Sequence, residues 1–273
     1  MLIKTLVENT SISQDFGSEH GLSIYVETKH HKILFDVGAS ALFLQNAKKL
    51  DVDISDINFL VISHGHYDHG GGLEVFLQKN NKAKVYLQQQ AFEKYYVLHS
   101  TGKPEFIGLD ESLQHNKRIM LVTDDYTINE GLRLFVNKTQ TWPQPKANGG
   151  LLIEHQGQMT DDNFIHEQNL VVEENGKILL ITGCAHNGIV NILEHFYFLK
   201  GRMPDYVIGG FHLFSRSVGN ENPAVIDQIG KYLMDTKTKF YTCHCTGLKA
   251  YKRLKSIMGN KIDYLSAGSE ITI

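Results

Sequence analysis

Ser63-His64-Gly65-His66-Tyr67-Asp68-His69-Gly70-Gly71-Gly72 follows directly on the apolar run Ile57-Asn58-Phe59-Leu60-Val61-Ile62. Three histidines and one aspartate stand within residues 64–69. A buried strand that ends in a dense imidazole and carboxylate cluster builds a metal site at a sheet edge. Such a donor set suits zinc, and also iron or manganese. In an extended loop, residues two apart point the same way, so His64 and His66 can converge on one ion. Asp68 and His69 follow where the loop turns into a glycine-rich helix start, facing a neighbouring position. Gly70, Gly71 and Gly72 let the backbone pass close to the metals without side-chain clash.

Outward from this stretch, strand-like and helix-like segments alternate. Residues 22–26 and 32–36 read as a hairpin, and Leu42 to Leu50 carries helical apolar spacing. Leu73, Phe76 and Leu77 give the helix after the motif a core face, and Val85-Tyr86-Leu87 is the next strand. A second half is expected from about residue 118. Its strands lie near 119–122, 132–136, 170–172, 177–181, 205–209 and 239–242, and its helices near 188–199, 222–235 and 247–257. Two successive halves of this kind predict sheets packed face to face with helices outside. Residues 138–169, with Trp142-Pro143-Gln144-Pro145 and Asn148-Gly149-Gly150, carry loop chemistry and read as a lid or binding segment.

The chain has 273 residues, enough to bury about three quarters of its unfolded surface. No Pro/Gly/Ser linker divides it, so one domain over residues 1–273 is expected. A net charge of -3 argues against a nucleic-acid or anionic-membrane surface. No run approaches the ~20 apolar residues of a membrane span, and the N-terminal residues lack a signal-peptide pattern. The expected location is the cytoplasm. Cys184, Cys243 and Cys245 are too few and odd in number for a disulfide framework.

Four ligands from one loop cannot complete two metal positions, so others must come from distant strand ends. Thr182-Gly183-Cys184-Ala185-His186, Gly209-Gly210-Phe211-His212-Leu213 and Tyr241-Thr242-Cys243-His244-Cys245-Thr246-Gly247 each place a histidine where a strand emerges.

His64-x-His66-x-Asp68-His69 after an apolar strand resembles the signature of the metallo-beta-lactamase superfamily. The resemblance implies an α/β fold, a four-layer αβ/βα sandwich with two mixed sheets, outer helices and metals at one edge. It also implies that His64 and His66 bind one metal, and Asp68 and His69 a second. Further blocks are similar to a branch that holds dihydropterin–ribofuranosylaminobenzene-phosphate synthases and bacterial metal-dependent hydrolases. They are Glu19-His20-Gly21-Leu22-Ser23, Glu167-Gln168, residues 183–191, residues 209–213 and His244-Cys245-Thr246-Gly247.

On this resemblance, His186 completes the first metal position and His244 the second. His212 is the alternative for either role; otherwise it supports a ligand or is simply packed. His20 is a candidate substrate contact, and Asp36 is expected to brace the metal loop. Cys184 stands where many members carry a carboxylate that bridges the metals. It is expected to be a zinc thiolate, to leave the bridge missing, or to be a small buried residue. Cys243 and Cys245 flank His244 and are expected to point away from it on a strand.

Two zinc ions held by His64, His66, Asp68, His69, His186 and His244 predict a hydrolase that uses a metal-activated water, with Asp68 also steering a proton. The alternative is a transferase whose metals hold a pyrophosphate leaving group, and a third reading is a metal-dependent binding module. The expected partner is a small molecule, anionic in the transferase case, contacting Lys138 or Lys146. Nothing in the sequence specifies the oligomeric state.

Overall fold

The computed structural model of the protein describes residues 1–99 and 102–273. Side chains on a strand alternate between faces, and that alternation builds the layers here. Leu34, Leu60, Val85 and Leu87 turn to one side of their sheet, where they pack with Phe43, Ala47, Leu73 and Phe76. The latter four lie on the helices Leu42–Lys49 and Leu73–Lys79. Ile33, Phe35, Val61 and Tyr86 turn the other way and meet Leu170, Val172, Leu179, Ile181 and Ile208 of the second sheet. The opposite face of that sheet, with Ile178, Leu180, Val207 and Phe240, packs on residues of the helices Ile189–Lys200, Pro223–Asp235 and Leu248–Met258. Three apolar interfaces therefore hold four layers, αβ/βα.

The first sheet has the spatial order Glu270–Thr272, Leu2–Val7, Ser23–Glu27, Lys32–Phe35, Phe59–Val61, Lys84–Gln88, Ile119–Val122. The second runs Ile262–Tyr264, Lys239–Thr242, Tyr206–Gly209, Lys177–Ile181, Asn169–Glu174, Leu132–Phe135, Tyr126–Asn129. Each mixes parallel and antiparallel pairs. Among the described residues no helix is long and apolar enough to cross a membrane. Phe35 is fully buried between the sheets. Phe35→Ala is expected to cost about 3–5 kcal/mol, read as a lower denaturant midpoint.

Two expectations are corrected. Ile119–Val122 pairs in parallel with Lys84–Gln88 and closes the first sheet, so the second sheet begins at Tyr126. Residues 138–169 are not one long loop. After the short turn Lys146–Asn148 they form the hairpin Leu151–His155 with Gln158–Asp161. This hairpin joins Lys94–Leu98 and Pro104–Phe106 in a four-stranded sheet. Gln156 and Gly157 both take positive φ, 52° and 81°, the geometry of a tight hairpin turn. Gln-Gly is a weaker signal for that turn than Asn-Gly, and neither strand alternates cleanly in burial.

Candidate metal centre

The four parallel-paired strands Phe59–Val61, Lys177–Ile181, Tyr206–Gly209 and Lys239–Thr242 deliver their following loops to one edge of the sandwich. At that edge Asp36 ends the strand Lys32–Phe35 in a left-handed conformation, φ 60°, which aspartate tolerates better than most residues. Its carboxylate accepts from the Ser63 N–H at 2.7 Å, the Ser63 hydroxyl at 2.8 Å and His69 Nδ1 at 2.6 Å. Asp36 thus braces the metal loop through three contacts.

The Ser63 hydroxyl donates to Asp36, so its oxygen accepts from His64 Nδ1 at 2.8 Å. His186 Nδ1 donates to Asn148 Oδ1 at 2.9 Å, and His244 Nδ1 to Asn9 Oδ1 at 2.8 Å. With Nδ1 protonated in His64, His69, His186 and His244, each Nε2 is left as the ligand atom. These atoms face one another in pairs: His64 and His186 at 3.3 Å, His69 and His244 at 3.2 Å. Between His64 and His186, both neutral, opposed lone pairs at such range call for a cation; between His69 and His244 either a proton or a metal can sit, and the donor set fits a metal. His66 lies with His64 and His186 within 4.8 Å. Asp68 Oδ2 stands 3.3 Å from His244 Nε2 and 3.6 Å from His69 Nε2.

Burial, followed by the neighbouring imidazoles, holds His64 and His186 well below the ordinary histidine range. The first group is therefore neutral and ready for metal. At His69 burial also lowers the pKa, but the Asp36 and Asp68 carboxylates outweigh it and raise it to about 9. Burial would raise Asp68, yet His69 and His244 hold it well below the carboxylate range. Metal taken up at His69 would have to displace the proton held there, so uptake at that ring should weaken about tenfold per pH unit as pH falls below 9. His64 and His186, already neutral, add no such dependence. Metal titrations across the pH range check this.

His20 Nε2 lies 3.3 Å from Asp68 Oδ2, and its side chain keeps 34% exposure. Cys184 Sγ lies 3.2 Å from His69 Nε2, and burial pushes its thiol well up. His212 is buried against the His186 ring, centroids 4.1 Å apart, with both ring nitrogens unpartnered. Cys245 departs from the expected alternation. The strand ends at Thr242, and His244–Thr246 is a helical turn opened by His244 at φ 51°. That turn brings Cys245 Sγ to the Cys184 carbonyl at 3.4 Å. Cys243 lies in the inter-sheet core. Gly71 and Gly72 lie against protein backbone: a Cβ on Gly71 would lie 2.5 Å from the Ala39 and Tyr67 carbonyls, whereas one on Gly70 would meet the Leu109 side chain. Lys138 is paired with Asp124 at 2.7 Å.

Apart from Asp36, the sequence reading missed the residues that hold the ligands. Glu8 is fully buried and accepts from the His244 N–H and the Tyr264 hydroxyl, both at 2.6 Å. The Gly65 N–H donates to His166 Nδ1 at 2.8 Å, and His166 Nε2 donates to Asp162 at 2.9 Å. Asn9 and Asn148 set the His244 and His186 tautomers. Isolated amides and carboxylates on distant loops carry no periodic signal; only Glu167, which accepts from the His186 N–H at 2.6 Å, fell within a quoted motif.

The sequence profile described as the metallo-beta-lactamase superfamily matches residues 17–196. A 7,8-dihydropterin-6-methyl-4-(beta-D-ribofuranosyl)-aminobenzene-5'-phosphate synthase of Methanocaldococcus jannaschii is 27% identical over 98% of this chain and 95% of its own. An uncharacterised protein of the same organism is 28% identical over the full length of both. Among solved structures, a metal-dependent hydrolase of the beta-lactamase superfamily is 32% identical. It covers 100% of this chain and 99% of its own, with a TM-score of 0.84.

Proposed function

Because this chain belongs to the metallo-beta-lactamase superfamily, we propose that it is a hydrolase with two zinc ions, one held by His64, His66 and His186 and one by Asp68, His69 and His244. The observation that carries the reading is the pairing of Nε2 atoms at 3.3 and 3.2 Å, with each Nδ1 tied to an oxygen acceptor. Bound there, such ions supply Lewis acidity toward water and toward a carbonyl or phosphoryl oxygen.

The chain's own groups supply the proton path. Burial lowers His20 to about 4, so its imidazole is neutral at neutral pH. A proton reaching Asp68 Oδ2 has an exit to solvent through the half-exposed His20 ring, 3.3 Å away. The substrate is a small anionic molecule. Support comes from the exposed Arg216, whose charge adds to burial in lowering His20 and also acts on Tyr67. It lies in the loop between the short strands Phe214–Ser215 and Gly219–Asn220. Arg216→Ala is expected to raise KM for a phosphate-bearing substrate about tenfold, the scale of one charge-assisted contact, and to leave KM for a neutral ester unchanged.

Transfer is the second reading, favoured by the synthase named among the relatives. The deciding experiment incubates the zinc-loaded chain with esters, lactones, phosphodiesters and a pterin pyrophosphate, the last with and without an aminobenzene acceptor. Cleavage by water alone supports hydrolysis. Pyrophosphate release that requires the acceptor, with no cleavage elsewhere, overturns hydrolysis in favour of transfer.

A further inference from the structure

Cys184 Sγ stands among donor atoms on both sides of the centre. It lies within 4.8 Å of ligand atoms of His64 and His69, of His186 and His212, and of His244 and Cys245, in three separate groups. His64 and His186 belong to the first metal position, His69 and His244 to the second. His69 Nε2 lies 3.2 Å from the sulfur. Cys184 is only 3% exposed, so water does not compete for the sulfur.

A second observation points to a ligand at the same place. His212 is 6% exposed, and neither buried ring nitrogen has a hydrogen-bond partner. Unpaired buried polar atoms are costly, and here the unsatisfied ring lies in a donor group with Cys184 and His186. Its backbone is also held at φ 49°, an uncommon conformation for a residue other than glycine. The unpaired ring nitrogens are accounted for by a cation seated against the sulfur.

Resting on the metal-centre reading above, we propose that Cys184 ligates metal as a thiolate shared by the two positions. Ligation breaks the S–H bond, sends its proton to solvent and forms sulfur–metal bonds, with no change of oxidation state. The shared sulfur makes the centre softer than an all-nitrogen-and-oxygen site, and selects zinc, cobalt(II) or ferrous iron over magnesium and manganese.

The test loads the metal-free full-length chain with cobalt(II). It reads the near-ultraviolet thiolate-to-cobalt charge-transfer band alongside bound cobalt. The band is expected in the wild type, in Cys243→Ser and in both half-site variants, His66→Ala and His244→Ala. It is expected to vanish in Cys184→Ser and Cys184→Asp while cobalt stays bound. Bound cobalt without the band in the wild type, or a band that survives Cys184→Ser, overturns the ligation. A band confined to one half-site variant overturns the sharing. A wild-type chain that takes up no cobalt overturns the metal-centre reading, and this inference with it.

Discussion

Replacement of His66 by alanine is expected to bring turnover down to the uncatalysed background and to halve the metal bound per chain. His66 is 4% exposed and stands with His64 and His186 within 4.8 Å. Its Nε2 has no hydrogen-bond partner, the nearest carboxylate oxygen of Asp162 being 3.8 Å away. The loop itself is held by other contacts. Asp36 takes the Ser63 N–H, His166 takes the Gly65 N–H, and the Gln168 N–H reaches the Ser63 carbonyl at 2.8 Å. The variant should therefore keep its far-ultraviolet circular dichroism while losing one ion and the chemistry. Elemental analysis beside an activity assay reads both, and turnover retained at half the wild-type rate would sink the proposed mechanism.

Asp36→Ala should cost both stability and metal. Three donors converge on this fully buried carboxylate, and removing one partner of a buried ionic set costs about 3–5 kcal/mol. His69 would also lose the acceptor that fixes its tautomer, and losing such a partner lowers metal affinity or activity about 10–100-fold. Asp36→Asn separates the two effects. Asparagine tolerates the left-handed backbone and can still accept from the Ser63 N–H, but its amide nitrogen carries no charge and cannot accept from His69. The asparagine variant is expected to lose less stability than the alanine variant while binding metal more weakly. Wild-type metal affinity in the asparagine variant would contradict a role for the charge in holding the centre.

Legibility in the sequence followed the range of the interactions. The strand Phe59–Val61 and the ligand loop after it are adjacent in the chain, so their apolar and donor patterns could be read together. The same holds for Lys177–Ile181 with Cys184 and His186, and for Lys239–Thr242 with His244. Membership in the second sheet was misjudged for Ile119–Val122, because a short apolar strand does not declare its neighbour. The hairpin at Gln156-Gly157 was missed because its turn lacks the strongest turn residues and its strands are largely half-exposed or exposed. Strand alternation was carried too far at Cys245, where positive φ at His244 turns the chain.

From the sequence alone came the layered α/β class, the loop that carries His64 to His69, and the strand ends that supply His186 and His244. Each is specified by local periodicity and by donor residues close to a strand. Only the tertiary structure decided how those donors are oriented. Asn9 and Asn148 fix two imidazoles from 235 and 38 residues away, and Glu8 holds the His244 backbone across 236 residues. Likewise only folding brings Cys184, Cys245 and His212 against the histidine pairs. Hydrogen bonds between such distant residues depend on where the strand ends meet, and they leave no periodic trace in the sequence.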